Sequence, residues 1–218
     1  GKHPVIDALE QSFYHLYYYI REEPGTNYNY EYDRIVSTGE LVSTQIVSAY
    51  LNETGVANQL FPAQKLIITD AHFRDAHVDW ILSPRVIQTK LLPYLEPAPG
   101  STKPSTILTQ GFIGGTPQGF TTTLGREGSD YTAAILAYSL SAEEVIIWKD
   151  VPGLLNADPK LMGDTRLLPN ISYQEAIELS YYGATVIHPK TLKPLLSQTI
   201  PLKVKSFTEP EAPGSLIN

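Results

Sequence analysis

Cysteine is absent from the 218 residues. That excludes disulfides and thiolate metal sites and points to the cytoplasm as the compartment. Methionine occurs once, at Met162. With no initiator at Gly1-Lys2-His3-Pro4, further residues are expected upstream. Positive charge is scarce: 16 Lys and Arg stand against 23 Asp and Glu, a net charge of -7. A broad nucleic-acid or anionic-membrane surface needs clustered Lys and Arg, so neither partner is expected. No apolar run reaches the roughly 18 residues that cross a bilayer, and the start carries no signal-peptide pattern. What remains, 42% hydrophobic and 18% charged, is the composition of an ordinary globular domain.

Helical spacing of Val5, Leu9, Phe13, Leu16 and Ile20 predicts an amphipathic helix over 4–21. A polar turn follows at 22–29. Seven of the fourteen Tyr precede Asp33, and packing is their expected role. Ser37-Thr38-Gly39-Glu40 reads as the start of a second helix that ends at Gly55. Residues 57–69 read as two short strands, or a strand and a turn, 84–94 as a helix, and 96–105 as a Pro-rich loop. Strands are expected at 106–113, at 145–148 (fully apolar, as in a buried parallel sheet) and at 201–207. A helix is expected over 130–142. Ser172-x-x-Glu175 is a capping box before a helix that Gly183 ends, and 185–187 reads as a short strand. Alternating strands and helices imply an α/β fold: a three-layer α/β/α sandwich with a mostly parallel central sheet. Ligands of such sheets bind at the carboxyl ends of strands.

The densest signal is Gly111-Phe112-Ile113-Gly114-Gly115-Thr116-Pro117-Gln118-Gly119, followed by Thr121-Thr122-Thr123-Leu124-Gly125-Arg126-Glu127-Gly128-Ser129-Asp130. Glycines allow close backbone approach, and a helix N-terminus suits an anion. A P-loop fails, because Phe120 occupies the position of its Lys. No G-x-G-x-x-G is present. The tip at 115–119 reads as a structural hairpin. Gly125–Asp130 reads as functional: Arg126 offers a fork that grips a carboxylate, beside Ser129 and Asp130, each of which also suits a plain helix start. A phosphorylated or carboxylated small molecule is the expected ligand.

Two further segments stand out. In Trp148-Lys149-Asp150-Val151-Pro152-Gly153-Leu154-Leu155-Asn156-Ala157-Asp158-Pro159-Lys160, a buried strand exits into a Pro/Gly turn. Such a segment supplies an apolar slot, polar backbone and cations for a nucleotide, or an ordinary turn with Asp158 as its former. His188, in Gly183–Lys190, has no second ligand at metal spacing and reads as a structural histidine.

Together these strings resemble the aspartate kinase branch of the amino acid kinase family. They are Ser37–Leu41, Thr109–Gly114, Thr121–Arg126, Gly128–Ala133, Trp148-x-Asp150-Val151-Pro152-Gly153 with Asp158-Pro159, and Gly183-Ala184-x-Val186-Ile187-His188-Pro189. Their order and spacing match over residues 35–217, and the Ser-Asp-Tyr-Thr-Ala run is specific to that branch. The resemblance implies the amino acid kinase fold over residues 1–218. It also implies transfer of the γ-phosphoryl of ATP, with Mg2+, to the β-carboxylate of L-aspartate, without a covalent enzyme intermediate. By analogy Arg126 pairs with the substrate α-carboxylate, Glu40 accepts from its α-ammonium and Ser129 helps hold it. Asp130 orients the cationic groups around the transferring phosphoryl. Lys149, Asp150, Leu155 and Lys160 stand where the family contacts ATP. No protein-held metal cluster is implied. Family members are commonly dimers.

The chain departs from the family pattern in two places. The family's opening strand, Lys-Phe-Gly-Gly-Thr-Ser, is missing, so the catalytic domain is read as incomplete at its N-terminus. Many members carry Lys where this chain has Thr185; Lys190 is the candidate phosphate contact in its place. The sequence given stops where family catalytic domains give way to paired regulatory ACT domains, so none is expected within these residues. Two other functions stay open: a nucleotide- or amino-acid-binding segment without turnover, and an amino acid kinase with another acceptor. Glu40 and Arg126 favour an α-amino acid acceptor.

Overall fold

The computed structural model describes residues 4–23, 25–95, 106–181 and 186–218. The expected loop at 96–105, the expected helix stop at Gly183 and the strand start at Thr185 fall outside these residues; the described end of that expected strand, Val186 and Ile187, is a turn leading into the next helix rather than a strand. The chain divides into two compact units, residues 1–129 and 130–218.

In the first unit, helix α1 (Pro4–Arg21) begins on a proline with Asp7 in its first turn and Arg21 in its last, the charge order a helix dipole favours. It packs along helix α2 (Tyr28–Glu53). The predicted stripe is only half covered: Val5, Leu9 and Leu16 are half-buried, while Phe13 and Ile20 are exposed. The expectation that the early tyrosines pack inside is corrected for Tyr14, Tyr17, Tyr18 and Tyr28, which are exposed. They stack on each other and on guanidinium groups: Tyr14 on Tyr18 at 4.5 Å, and Arg21 over Tyr17 at 4.2 Å.

Helix α2 corrects the sequence reading at its start. Its N-cap is Asn27, whose side chain accepts from the Tyr30 N–H. Ser37 lies in mid-helix, buried, with its hydroxyl donating to the Arg34 carbonyl. Serine in a helix interior commonly turns back on the preceding turn in this way. The helix stops at Glu53, and Gly55 follows at φ +87°, the left-handed exit glycine permits.

Strand β1 (Asn58–Phe61) pairs in parallel with β2 (Thr106–Thr109). Between them lie a short 3₁₀ turn (Ala63–Lys65) and helix α3 (Leu82–Leu95). The single strand expected over 106–113 is broken: Phe112 takes a φ of +70°, costly for a side chain. The chain then enters β3 (Ile113–Gly115), which pairs antiparallel with β4 (Thr121–Thr123). The hairpin expected at the tip is present, with Gly119 at φ +89°. Ala63, Leu66, Ile67, Ile87, Leu91, Ile113 and Leu124 form the dry interior.

Helix α4 (Gly128–Leu140) leads into the second unit. There β5 (Val145–Lys149), β6 (Asn170–Ile171), β7 (Leu202–Ser206) and β8 (Ser215–Ile217) make a sheet in the order β5-β7-β8-β6. All neighbours are parallel except β7 and β8. Helices α5 (Tyr173–Tyr181) and α6 (Pro189–Ser197) complete the unit. Ala134, Val145, Ile147, Ala176, Leu192, Leu195, Leu202, Val204 and Ile217 share its core. Strand β5 is not buried on both faces as expected: Ile146 and Trp148 are exposed, and Lys205 Nζ sits 5.2 Å from the Trp148 ring. The capping box is as predicted. Glu175 Oε2 accepts from the Ser172 N–H at 2.7 Å, and Ser172 Oγ accepts from the Glu175 N–H. Among the described residues no helix is long and apolar enough to cross a membrane.

Candidate active site

The first unit carries Glu40, Arg126 and Ser129. The turn that presents Arg126 is built by exclusion. Gly125 has φ +77°, and a Cβ there would stand 2.5 Å from Asp75 Oδ1. Only glycine meets both demands. Gly128 N–H closes the turn onto the Gly125 carbonyl at 3.1 Å. Arg126 is exposed and has no ion-pair partner among the described residues, so its fork is open to an incoming carboxylate. Ser129 is exposed on the first turn of α4. Its neighbour Gly111 is as tightly placed: a Cβ there would lie 2.9 Å from Ser129 Cβ and Oγ.

Glu40 sits on α2, half-buried. Burial pushes its carboxyl above the ordinary value, since low-dielectric surroundings disfavour the charged form. A cation arriving beside it relieves that penalty, which suits a carboxylate whose partner is an ammonium ligand.

The second unit carries Asp130, Lys149, Asp150, Leu155, Lys160 and Lys190. Two of them meet. Lys149, the last residue of β5, places Nζ 2.8 Å from Asp130 Oδ2, with the two side chains only 18% and 13% exposed. The sequence reading assigned these residues to separate roles; the structure pairs them. Asp150 follows β5 and is exposed. Leu155 is half-buried and bridges to Leu167. Lys160 is exposed, and its backbone N–H bonds Asp158 Oδ1 at 2.8 Å, so Asp158 is the turn former expected of it. Lys190 stands in the first turn of α6, its N–H donating to His188 Nδ1 at 3.2 Å. His188 is thus the N-cap of α6, a structural role. Thr185 lies outside the described residues.

Sequence reasoning missed three polar residues of the first unit. Asp33 is fully buried and accepts from the Arg74 and Thr123 N–H groups and the Thr123 hydroxyl. Gln110 is 2% exposed and links Ala63 to Thr44. The usable signal was spacing: Asp33, Glu40 and Thr44 recur at i, i+7 and i+11, one face of a helix.

The model of the amino acid kinase family matches residues 3–206. The chain belongs to the amino acid kinase family. Within it, lysine-sensitive aspartokinase 3 of Escherichia coli strain K12 is 40% identical over 185 residues, 85% of this chain and 40% of that protein. Aspartokinase 1, chloroplastic, of Arabidopsis thaliana is 36% identical over 187 residues, 85% of this chain and 32% of that one. The crystal structure of E. coli aspartokinase III in complex with aspartate and ADP superposes with a TM-score of 0.89 at 36% identity. It covers 98% of this chain and 46% of that one. This family member therefore has the amino acid kinase fold, and spans less than half the length of these relatives.

Proposed function

We propose that this chain is the catalytic domain of an ATP-dependent aspartate kinase. A β-carboxylate oxygen of L-aspartate attacks the γ-phosphorus of ATP, the β,γ-bridging bond breaks, and 4-phospho-L-aspartate and ADP leave. The product opens lysine, threonine and methionine synthesis. Phosphoryl transfer of this type asks for position and charge neutralisation rather than for a protein nucleophile.

The observation that carries the reading is the 2.8 Å Lys149–Asp130 pair. It holds a mostly covered ammonium at the carboxyl end of a strand, where nucleotides bind in open α/β sheets. Asp130 fixes the direction of that cation, and Lys149 offers it to phosphate oxygens. Arg126 and Glu40 supply the two charges that an α-amino acid acceptor needs, one for its α-carboxylate and one for its α-ammonium; Ser129 adds a hydroxyl. Asp150, Leu155 and Lys160 extend the nucleotide side, and Lys190 is a further phosphate contact. Mg2+ enters with ATP as part of the substrate. No group of three or more His, Asp or Glu among the described residues could hold a metal by itself. A Mg2+ held mainly by phosphates needs at most one or two protein carboxylates, and Asp150 is the candidate to give one. The names of the two relatives above, both aspartokinases, and the aspartate and ADP of the solved complex support the same acceptor and donor.

The test is ADP release in a coupled assay across L-aspartate, L-glutamate, N-acetyl-L-glutamate and carbamate. Turnover with aspartate alone is expected. Preference for another acceptor moves the chain to a different branch of the family, and nucleotide binding without ADP release rejects catalysis.

A further inference from the structure

We propose that Asp33 and the Thr44–Gln110 pair are positioning residues that lock helix α2 to the two segments presenting Arg126 and Ser129. They thereby preset the aspartate-binding half of the site. The inference rests on the aspartate kinase reading above.

The first lock is Asp33. Its side chain is 0% exposed, and a carboxylate so buried is tolerated only with its hydrogen bonds made. Oδ2 accepts from the Arg74 N–H at 2.9 Å and the Thr123 N–H at 2.8 Å, and Oδ1 accepts from Thr123 Oγ1 at 2.8 Å. Thr123 ends β4, three residues before Arg126. Its carbonyl is taken from the other side by the Ala76 N–H at 2.9 Å. The next residue is tied too, the Leu124 N–H bonding the Phe112 carbonyl at 2.8 Å. From Asp33 to the Arg126 turn the path is therefore three short, fixed steps.

The second lock is one turn beyond Glu40. Thr44 Oγ1 donates to the Glu40 carbonyl at 2.8 Å and accepts from Gln110 Nε2 at 2.8 Å. Gln110 Oε1 in turn accepts from the Ala63 N–H at 2.8 Å. The amide is thereby oriented at both ends. Gln110 precedes Gly111, the residue whose backbone lies against Ser129.

Glu40 stands between the locks. Asp33 and Glu40 are seven residues apart, about 10 Å along the axis and on one face. A helix held at one point can still swing; held on both sides of Glu40, it cannot slide or turn against the Arg126 and Ser129 segments. Hydrogen bonds are directional within a few tenths of an ångström, whereas apolar packing tolerates more repacking. Displacement of a binding group by about 1 Å is enough to cost on the order of 10²-fold.

The experiment compares Thr44→Val, Thr44→Ser and Asp33→Asn with the unaltered protein, reading the KM for aspartate, the KM for ATP and the melting curve. Thr44→Val removes both the donor to Glu40 and the acceptor for Gln110; Thr44→Ser keeps the hydroxyl. The expected result is an aspartate KM raised about tenfold in Thr44→Val with the ATP KM within about twofold, and near-recovery in Thr44→Ser. Asp33→Asn shifts the same constant in the same direction. If Asp33→Asn does not fold, the Thr44 pair decides. Equal changes in both KM values, a lowered melting point with both KM values unchanged, or a serine variant no better than valine overturns the inference alone. An unaltered protein that makes no aspartyl phosphate overturns the kinase reading and the inference with it.

Discussion

Lys149 Nζ lies 2.8 Å from Asp130 Oδ2. The two residues come from the end of a strand and the first turn of a helix, and neither is much exposed to water. Taking one partner away removes this contact from a mostly covered charge, which costs more than the pair is worth when intact.

Lys149→Met should therefore lower kcat on the order of 10²-fold and raise the ATP KM, with the aspartate KM nearly unchanged. Asp130→Asn, which keeps the shape but removes the carboxylate charge beside Lys149, should lower kcat by a similar factor. Steady-state kinetics in both substrates checks this. The double variant should lose less than the product of the single losses, because the two residues act through one contact.

Arg126 gives the opposite split. Arg126→Lys keeps the charge and loses the fork, and should raise the aspartate KM roughly tenfold; Arg126→Ala should raise it about 10²-fold, with the ATP KM little altered. Substrate-dependence curves at saturating partner read both effects.

Much of the candidate residue set was legible in the chain, but by halves. The strings around Glu40, Arg126–Asp130 and Trp148–Lys160 supplied the candidates, and Gly125 and Gly111 owe their identity to close contacts that glycine runs advertise. Beyond its helical spacing to Glu40 and Thr44, the role of Asp33 was not legible. Its partners, Arg74 and Thr123, lie 41 and 90 residues away, and nothing local separates a buried Asp from a solvated one. The helix starting at Asn27 rather than Ser37 was missed for a related reason: Ser37-Thr38 followed by Gly39-Glu40 mimics a cap, and only burial reveals that the hydroxyl of Ser37 turns inward. On β5, apolar residues at the first four positions hid the alternation that leaves Ile146 and Trp148 outside. The Ser172–Glu175 box was readable because both of its partners sit within one turn.

If Glu40 receives the α-ammonium of aspartate as proposed, aspartate binding is pH-sensitive. Burial raises its pKa above the ordinary 4.5. In the free protein, kcat/KM for aspartate should fall as pH drops through that raised value, starting at a higher pH than an exposed Glu would give. The stability effect has the opposite sense. A raised folded-state pKa means the folded protein binds the proton more tightly, so the stabilisation is full at low pH and is lost as pH rises through the folded value. Glu40→Gln should accordingly melt higher than the unaltered protein at pH 7, while binding aspartate more weakly. The melting difference should vanish at acid pH, and thermal melts at several pH values check it.

The cap of α5 gives a stability prediction separate from catalysis. Ser172→Ala removes the hydroxyl that accepts from the Glu175 N–H and should cost about 1 kcal/mol. Hydrogen bonds from Ser172 hold the Glu175 carboxyl below its ordinary value. Its contribution is present at neutral pH and lost as pH falls through the lowered value. Chemical denaturation of the variant at pH 7 reads the loss, and both KM values should stay unchanged.

The central claim is transfer of a phosphoryl group to the side-chain carboxylate of aspartate. Trapping the product with hydroxylamine tests it most directly, because an acyl phosphate yields aspartyl hydroxamate. Hydroxamate that requires both ATP and L-aspartate, and that forms on the order of 10²-fold more slowly in Asp130→Asn, is the predicted result. ADP formed without hydroxamate, or hydroxamate formed equally well by Asp130→Asn and Lys149→Met, would contradict the account.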